Sequence, residues 1–258
     1  IPEVGLALAA KAAKINGVYS AMALLDLDTA KAKKYTDTKS VKEESGYTSP
    51  FCYPLWPCDR VGEYILAKSA VAGAMIQYMA SDNEDVPNQS PSNHLLGVGG
   101  QCLEDGTEVY LDQDQANTVN GYGVTTAINQ NGYRLWGNYT GAYPASSDAK
   151  DIWFAVRRMF SWQGNNFIQT YFDEVDDPMN NVLVQSVVDS ENIRCSAYAP
   201  KYWAGASIEY KSDDNPKTAI LAGTMKFRQH IAPYTPAQEI VDIIDYDTDT
   251  LAAAVGGN

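Results

Sequence analysis

A glycine-bounded strand that runs into a tryptophan-rich helix, Gly132 to Phe160, constrains this chain more than any other stretch. Gly132-Tyr-Arg-Leu-Trp-Gly137 alternates as a strand does and stops at its second glycine. After a short polar linker, Ile152, Ala155, Val156, Met159 and Phe160 recur at the spacing of one helix face. Asp148, with Ser146 and Ser147, is placed to cap that helix, and Trp153 and Trp162 give it a large apolar area to bury. A buried strand feeding a buried helix predicts the core junction of an α/β fold.

The flanking sequence extends the same alternation of elements. Pro2 opens a helix whose stripe of Val4, Leu8, Ala12 and Ile15 ends at Asn16-Gly17. Val18 to Leu27 reads as a strand buried on both faces, with Asp26 and Asp28 at its carboxyl end, where open α/β sheets place ligands. The plainer role for Asp28 is to cap a helix through the Lys-rich segment 31–39. Thr48 to Arg60 carries Pro50, Pro54 and Pro57 and suits an edge strand or a loop. Tyr64 to Leu66 then leads into a helix over Ser69 to Met79, and Asp112 caps another over Gln113 to Asn120. A strand over Val124 to Asn129 and a turn at Asn131-Gly132 reach the junction. Beyond it, Asp177 and Pro178 predict the start of a helix through Ser196. Ser207 to Tyr210 is extended, Ala219 to Arg228 alternates as a strand, and Ile240 to Ile244 is an extended run after Pro233 and Pro236.

Composition narrows the function. A chain of 258 residues, 45% hydrophobic and 20% charged, can bury one large or two modest cores. A formal net charge of −13 argues against nucleic acid as a partner, because phosphate neutralisation needs clustered Lys and Arg. The apolar run Ala70 to Ala80 is too short to span a bilayer, so no membrane insertion is expected. Cys52, Cys58, Cys102 and Cys195 show no C-x-x-C and no histidine at ligand spacing, which predicts free thiols and no metal. His94 and His230 lie in unrelated contexts, and no G-x-S-x-G elbow accompanies them. Gly97-Val-Gly-Gly lacks the ending of a phosphate loop, and Asp112-Gln-Asp-Gln and Asp245-x-Asp-x-Asp lack the Gly and Glu of a calcium loop. The expectation is no catalytic, cofactor or metal site. The rival reading is an acid-chemistry hydrolase drawing on Asp173, Glu174, Asp176 or Asp177, or a monomeric binding module; four carboxylates on one loop rarely face each other across a cleft.

The order G-x-R-x-W-G-x-x-T, a gap, and V-R-R-x-F resembles the tail sheath proteins of contractile phage tails and phage-tail-like bacteriocins. Cys52-Tyr-Pro-Leu-Trp-Pro, Lys68-Ser-Ala-Val-Ala-Gly without the family's leading proline, and Ile231-Ala-Pro-Tyr-Thr-Pro-Ala-Gln-Glu-Ile are similar to further sheath segments. The resemblance implies mixed β-sheets flanked by helices in two linked α/β subdomains. Residues 1–140 would form a non-catalytic domain of subtilisin-like topology, incomplete at its N-terminus. Residues 141–258 would form the C-terminal domain, with a terminal arm at 236–258. It also implies a mechanical role: identical subunits stacked around a tail tube on a baseplate, in a virion tail assembled in the bacterial host cytoplasm. The chain opens on Ile and not Met, which fits a piece of a longer subunit.

Two segments are expected to reach neighbouring subunits. Arg157 and Arg158 point about 100° apart on a helix, so one should bond inside the chain and the other meet an acidic neighbour. The tail, with Ile240, Val241, Ile243 and Ile244 followed by Asp245 and Asp247, is built to leave its own domain and pair with a sheet edge elsewhere.

Overall fold

The computed structural model describes residues 2–256 and has an α/β architecture of small mixed sheets flanked by helices. Strand β1 (Ala23–Asp26) lies parallel to β2 (Cys52–Leu55), pairing Ala23 with Cys52 and Asp26 with Leu55. A parallel bridge from Leu55 to Thr125 continues this layer toward the antiparallel pair β6 (Thr126–Asn129) and β7 (Tyr133–Trp136). A second sheet has the order β4 (Tyr64–Leu66), β3 (Cys58–Val61), β5 (Gly100–Cys102). The buried Gln101 side chain fastens it to β6 by bonding both the N–H and the C=O of Ala127.

The proline-rich segment is therefore no edge. All four residues of β2 are buried between β1 and the Thr125 region. Pro54 is tolerated because its C=O accepts from Thr125 and Trp56 N–H donates back to the Thr125 C=O, so the ladder starts just past the missing donor.

Helix α1 (Pro2–Ala13) also corrects the periodicity. It buries Gly5, Ala9 and Ala12, whereas Val4 and Leu8 are exposed. Small residues win that face because a Cβ on Gly5 would run into the Tyr47 ring, 2.8 Å from its Cζ. Strand β1 is shorter than Val18 to Leu27, since Val18 sits in the turn that follows α1. The Lys-rich segment opens as a turn, tightens into a 3-10 helix at Tyr35–Asp37 and runs into α2 (Thr38–Glu44). There Asp28 accepts from the N–H of Ala30 rather than capping a helix. Helices α3 (Lys68–Asp82) and α4 (Gln113–Gly121) fall where expected, the latter under a capping box formed by Asp112 and Gln115.

At the junction the expected helix begins in two pieces. Asp148 caps the single turn α5 (Ala149–Ile152), Trp153 is extended and bridges to Tyr139, and α6 (Phe154–Thr170) carries on. The interruption turns Phe154 into the core, where it stacks on Tyr53 with centroids 4.0 Å apart. Buried Thr140 ties the linker to α5, its N–H donating to the Ile152 C=O.

Helix α7 (Asn181–Tyr198) is capped by Asn180, which accepts from Leu183 N–H, and not by Asp177. Strand β8 (Trp203–Glu209) pairs antiparallel with β9 (Arg228–Pro233), from Trp203 opposite Pro233 to Glu209 opposite Arg228. Ala219 to Arg228 is not the strand its alternation suggested. Helix α8 (Lys217–Leu221) follows Pro216 and closes at Gly223, whose φ of 75° lets Thr224 N–H reach back to the Ala219 C=O. Under these elements a core of Val86, Met159, Cys195, Tyr202 and Trp203 forms beside the one built on Tyr53, Leu135 and Phe154. All four cysteines are free thiols.

Candidate assembly interface

Among the described residues the chain enters no further strand after Pro233. Ile240 is 89% exposed and Ile244 86%, with Val241 and Ile243 also in solvent. The base of this tail is held where Tyr139 donates to Gln238 Oε1 at 2.7 Å and Tyr234 donates to the Pro200 C=O at 2.9 Å. Farther on, α9 (Thr248–Ala254) forms about two solvent-exposed turns. Asp247 is its N-cap, so it is no free charge: it accepts from the hydroxyl and N–H of Thr250, and these bonds hold its carboxyl below the usual range. Asp245 is exposed.

The β8–β9 ribbon has one closed edge and one open edge among the described residues. On the outer side of β8, Asn192 of α7 donates to the Ile208 C=O and accepts from its N–H, which occupies that edge. Among the described residues no side chain bonds the backbone of β9 and no further strand pairs with it, so the backbone groups that alternate away from β8, those of Gln229 and Ile231, stay open. An unpaired strand edge is a template for another strand. Sequence reading found the tail but not this edge, because the edge exists only once Asn192 has been brought against β8.

The two arginines separate as expected for adjacent helical positions. Arg157 donates to Asp151 Oδ1 at 3.0 Å, and its guanidinium lies 4.1 Å from the Phe51 ring centroid. Arg158 lies 5.5 Å from the Phe154 ring centroid, and burial pushes its pKa down to about 10. It remains a cation at neutral pH, in surroundings that disfavour one.

The other chemistry-bearing residues stay apart. Asp26 accepts from Ser69 N–H at 2.9 Å and so serves the first turn of α3. Asp173, Glu174, Asp176 and Asp177 are all exposed on a short helical turn and loop. His230 faces Glu209 at 3.0 Å on the surface, while His94, lowered by burial and then by Arg134, lies elsewhere. Among the described residues no three His, Cys, Asp or Glu side chains form a metal-holding group.

No family model matches the chain. It is 27% identical over 197 residues to the major tail sheath protein of Serratia phage KSP20, covering 73% of this chain and 48% of that protein. It is 23% identical over 215 residues to the tail sheath protein of Escherichia phage P2, covering 78% and 52% respectively. The chain thus spans about half the length of the curated relatives it matches. Among solved structures, a chain of the anti-feeding prophage baseplate superposes with a TM-score of 0.74 at 20% identity, over 96% of this chain and 65% of that one. The sheath of the extracellular contractile injection system PVC, in its contracted state, gives 0.73 at 17% identity, over 88% and 64%. The contracted sheath of the anti-feeding prophage gives 0.71 at 19% identity, over 93% and 65%. An exposed apolar tail beside an open strand edge accordingly sits on a chain that is similar in sequence to phage tail sheath proteins and has the fold of contractile-system sheaths.

Proposed function

We propose that this chain is part of a structural subunit of a contractile tail sheath, which polymerises around an inner tube and contracts to drive that tube through a cell envelope. The observation that carries the reading is the tail: four large aliphatic side chains held in solvent, on the same molecule as an uncovered β9 edge. Residues 240–244 would span about 17 Å as a strand, and the six residues of β9 about 20 Å. A strand from one copy laid on β9 of the next supplies backbone hydrogen bonds and buries those side chains, and it can persist while rigid bodies rotate.

The chain divides near Thr140 into a non-catalytic unit, 1–140, and a C-terminal unit, 141–258, whose arm begins at 236. Its partners are copies of itself, the tube and the baseplate, in a virion tail assembled in the host cytoplasm, with no nucleic acid bound. Among the described residues no helix is long and apolar enough to cross a membrane. The subunit works mechanically, without turnover. Negative-stain microscopy of the purified protein tests this: striated tubes are the expected product. Particles that stay monomeric at every concentration would remove the sheath reading.

A further inference from the structure

Of the six arginines, five donate to a carboxylate or a carbonyl: Arg157, Arg194 and Arg228 to acids, Arg60 and Arg134 to backbone. Arg158 donates to neither among the described residues. Its guanidinium lines a cavity of about 450 Å³ whose walls include Met22, Leu24, Ile76 and Phe154. Ser161, one helical turn along, lines the same cavity. Its residue is 6% exposed and its hydroxyl has no partner. Asn165 is already spent on the backbone of Ser20, and Asp85, exposed at the rim, makes no ion pair among the described residues. The cavity therefore offers a fork of N–H donors and a hydroxyl, framed by hydrocarbon, with no acceptor bonded to either among the described residues.

We propose that this cavity receives a carboxylate, Asp242 or Asp245, from the tail of a second copy of the chain. The inference rests on the assembly reading and names the contact that fixes the tail's register. Charge complementarity selects the occupant. The tail carries Glu239, Asp242, Asp245, Asp247 and Asp249 without a single Lys or Arg. Asp247 is committed to its helix, whereas Asp242 and Asp245 are exposed beside isoleucines that match the apolar walls. Position agrees as well. Trp162 of the cavity wall packs in the same cluster as Ile231 of β9, so the cavity and the β9 ribbon share one core.

The test uses the full chain, kept dilute enough to be monomeric, and a synthetic peptide of residues 236–256. The Arg158 Nε–Hε resonance, assigned by its loss in Arg158→Lys, is followed by NMR during titration. A saturable shift is expected, weakened about tenfold or more when Asp242 and Asp245 of the peptide are both changed to Asn. Those substitutions leave the protein untouched, so misfolding cannot mimic the result. Arg158→Gln should weaken the peptide comparably, read from Trp fluorescence. An Arg158 resonance that ignores the peptide, or responds equally to the Asn form, overturns the proposal. So does one that moves on Asp85→Asn and not on peptide addition, since that marks an internal pair. Tube formation is scored separately, so tubes without this contact would sink the cavity's role and leave the sheath reading standing.

Discussion

Lys42 is buried with its ammonium between two carbonyls, 2.9 Å from Tyr122 O and 2.5 Å from Tyr143 O, and burial pushes its pKa down to about 8. The folded pKa lies below the unfolded value of about 10.4, so between those two pH values the unfolded chain binds more protons. Stability attributable to Lys42 must therefore rise with pH from about 8 to 10.4 and stay flat below. Urea unfolding of the chain and of Lys42→Met across pH 7 to 10.5 checks this; the difference curve should climb in that window and stay flat below it. Gly137 makes a second residue-scale case. Its φ is 155°, and a Cβ there would lie 2.9 Å from the Thr125 Cα, so Gly137→Ala should cost about 2 kcal/mol in the same assay. Arg157→Ala removes a part-buried charge-assisted bond and a stacking contact, and a loss of about 2 kcal/mol is expected without any change in helix content by circular dichroism.

At the scale of elements, the tail is separable from what it hangs on. Among the described residues after Pro236, Gln238 alone makes a side-chain hydrogen bond to the body, an exposed one from Tyr139. A chain truncated after Pro236 should stay folded, with a melting temperature within about 3 °C of the longer one, because almost no apolar area is lost from the core. The same truncation should abolish assembly in sedimentation. Unfolding on truncation would make the segment a core element after all.

For the whole molecule, function follows from what its carboxylates are doing. Those with well-defined partners serve structure: Asp26 at α3, Asp112 at α4, Asp148 at α5, and Glu191 buried against Arg194. The loop at 173–177 holds its acids in open solvent, on one short segment and not facing each other across a cleft. Incubation with peptidoglycan or simple esters should give no turnover, and Asp173→Asn, Glu174→Gln, Asp176→Asn or Asp177→Asn should change nothing. Hydrolysis lost in any of these variants would restore the hydrolase reading.

Local chemistry was legible where a residue's role depends on its sequence neighbours. Asp112 and Asp148 caps, the Asn131-Gly132 turn, the strand ending at Gly137 and the buried face of Ala155, Val156 and Met159 are all fixed within a few positions of themselves. The resemblance in fold was carried by the same local motifs. Long-range packing decided the rest. Tyr47, far along the chain, chose the small face of α1 over its aliphatic stripe, and Thr125 turned a proline-rich segment into an interior strand. Alternation at 219–228 gave way to a short helix because Pro216 and Gly223 set its ends. The sequence alone determined that the tail is apolar and acidic with no core of its own to enter. Only the tertiary structure decided that Asn192 takes the outer backbone groups of Ile208 on β8 while β9 stays unpaired among the described residues, and that Arg158 lines a cavity without a bonded acceptor, since both depend on which distant side chain arrives to satisfy a backbone group or a charge.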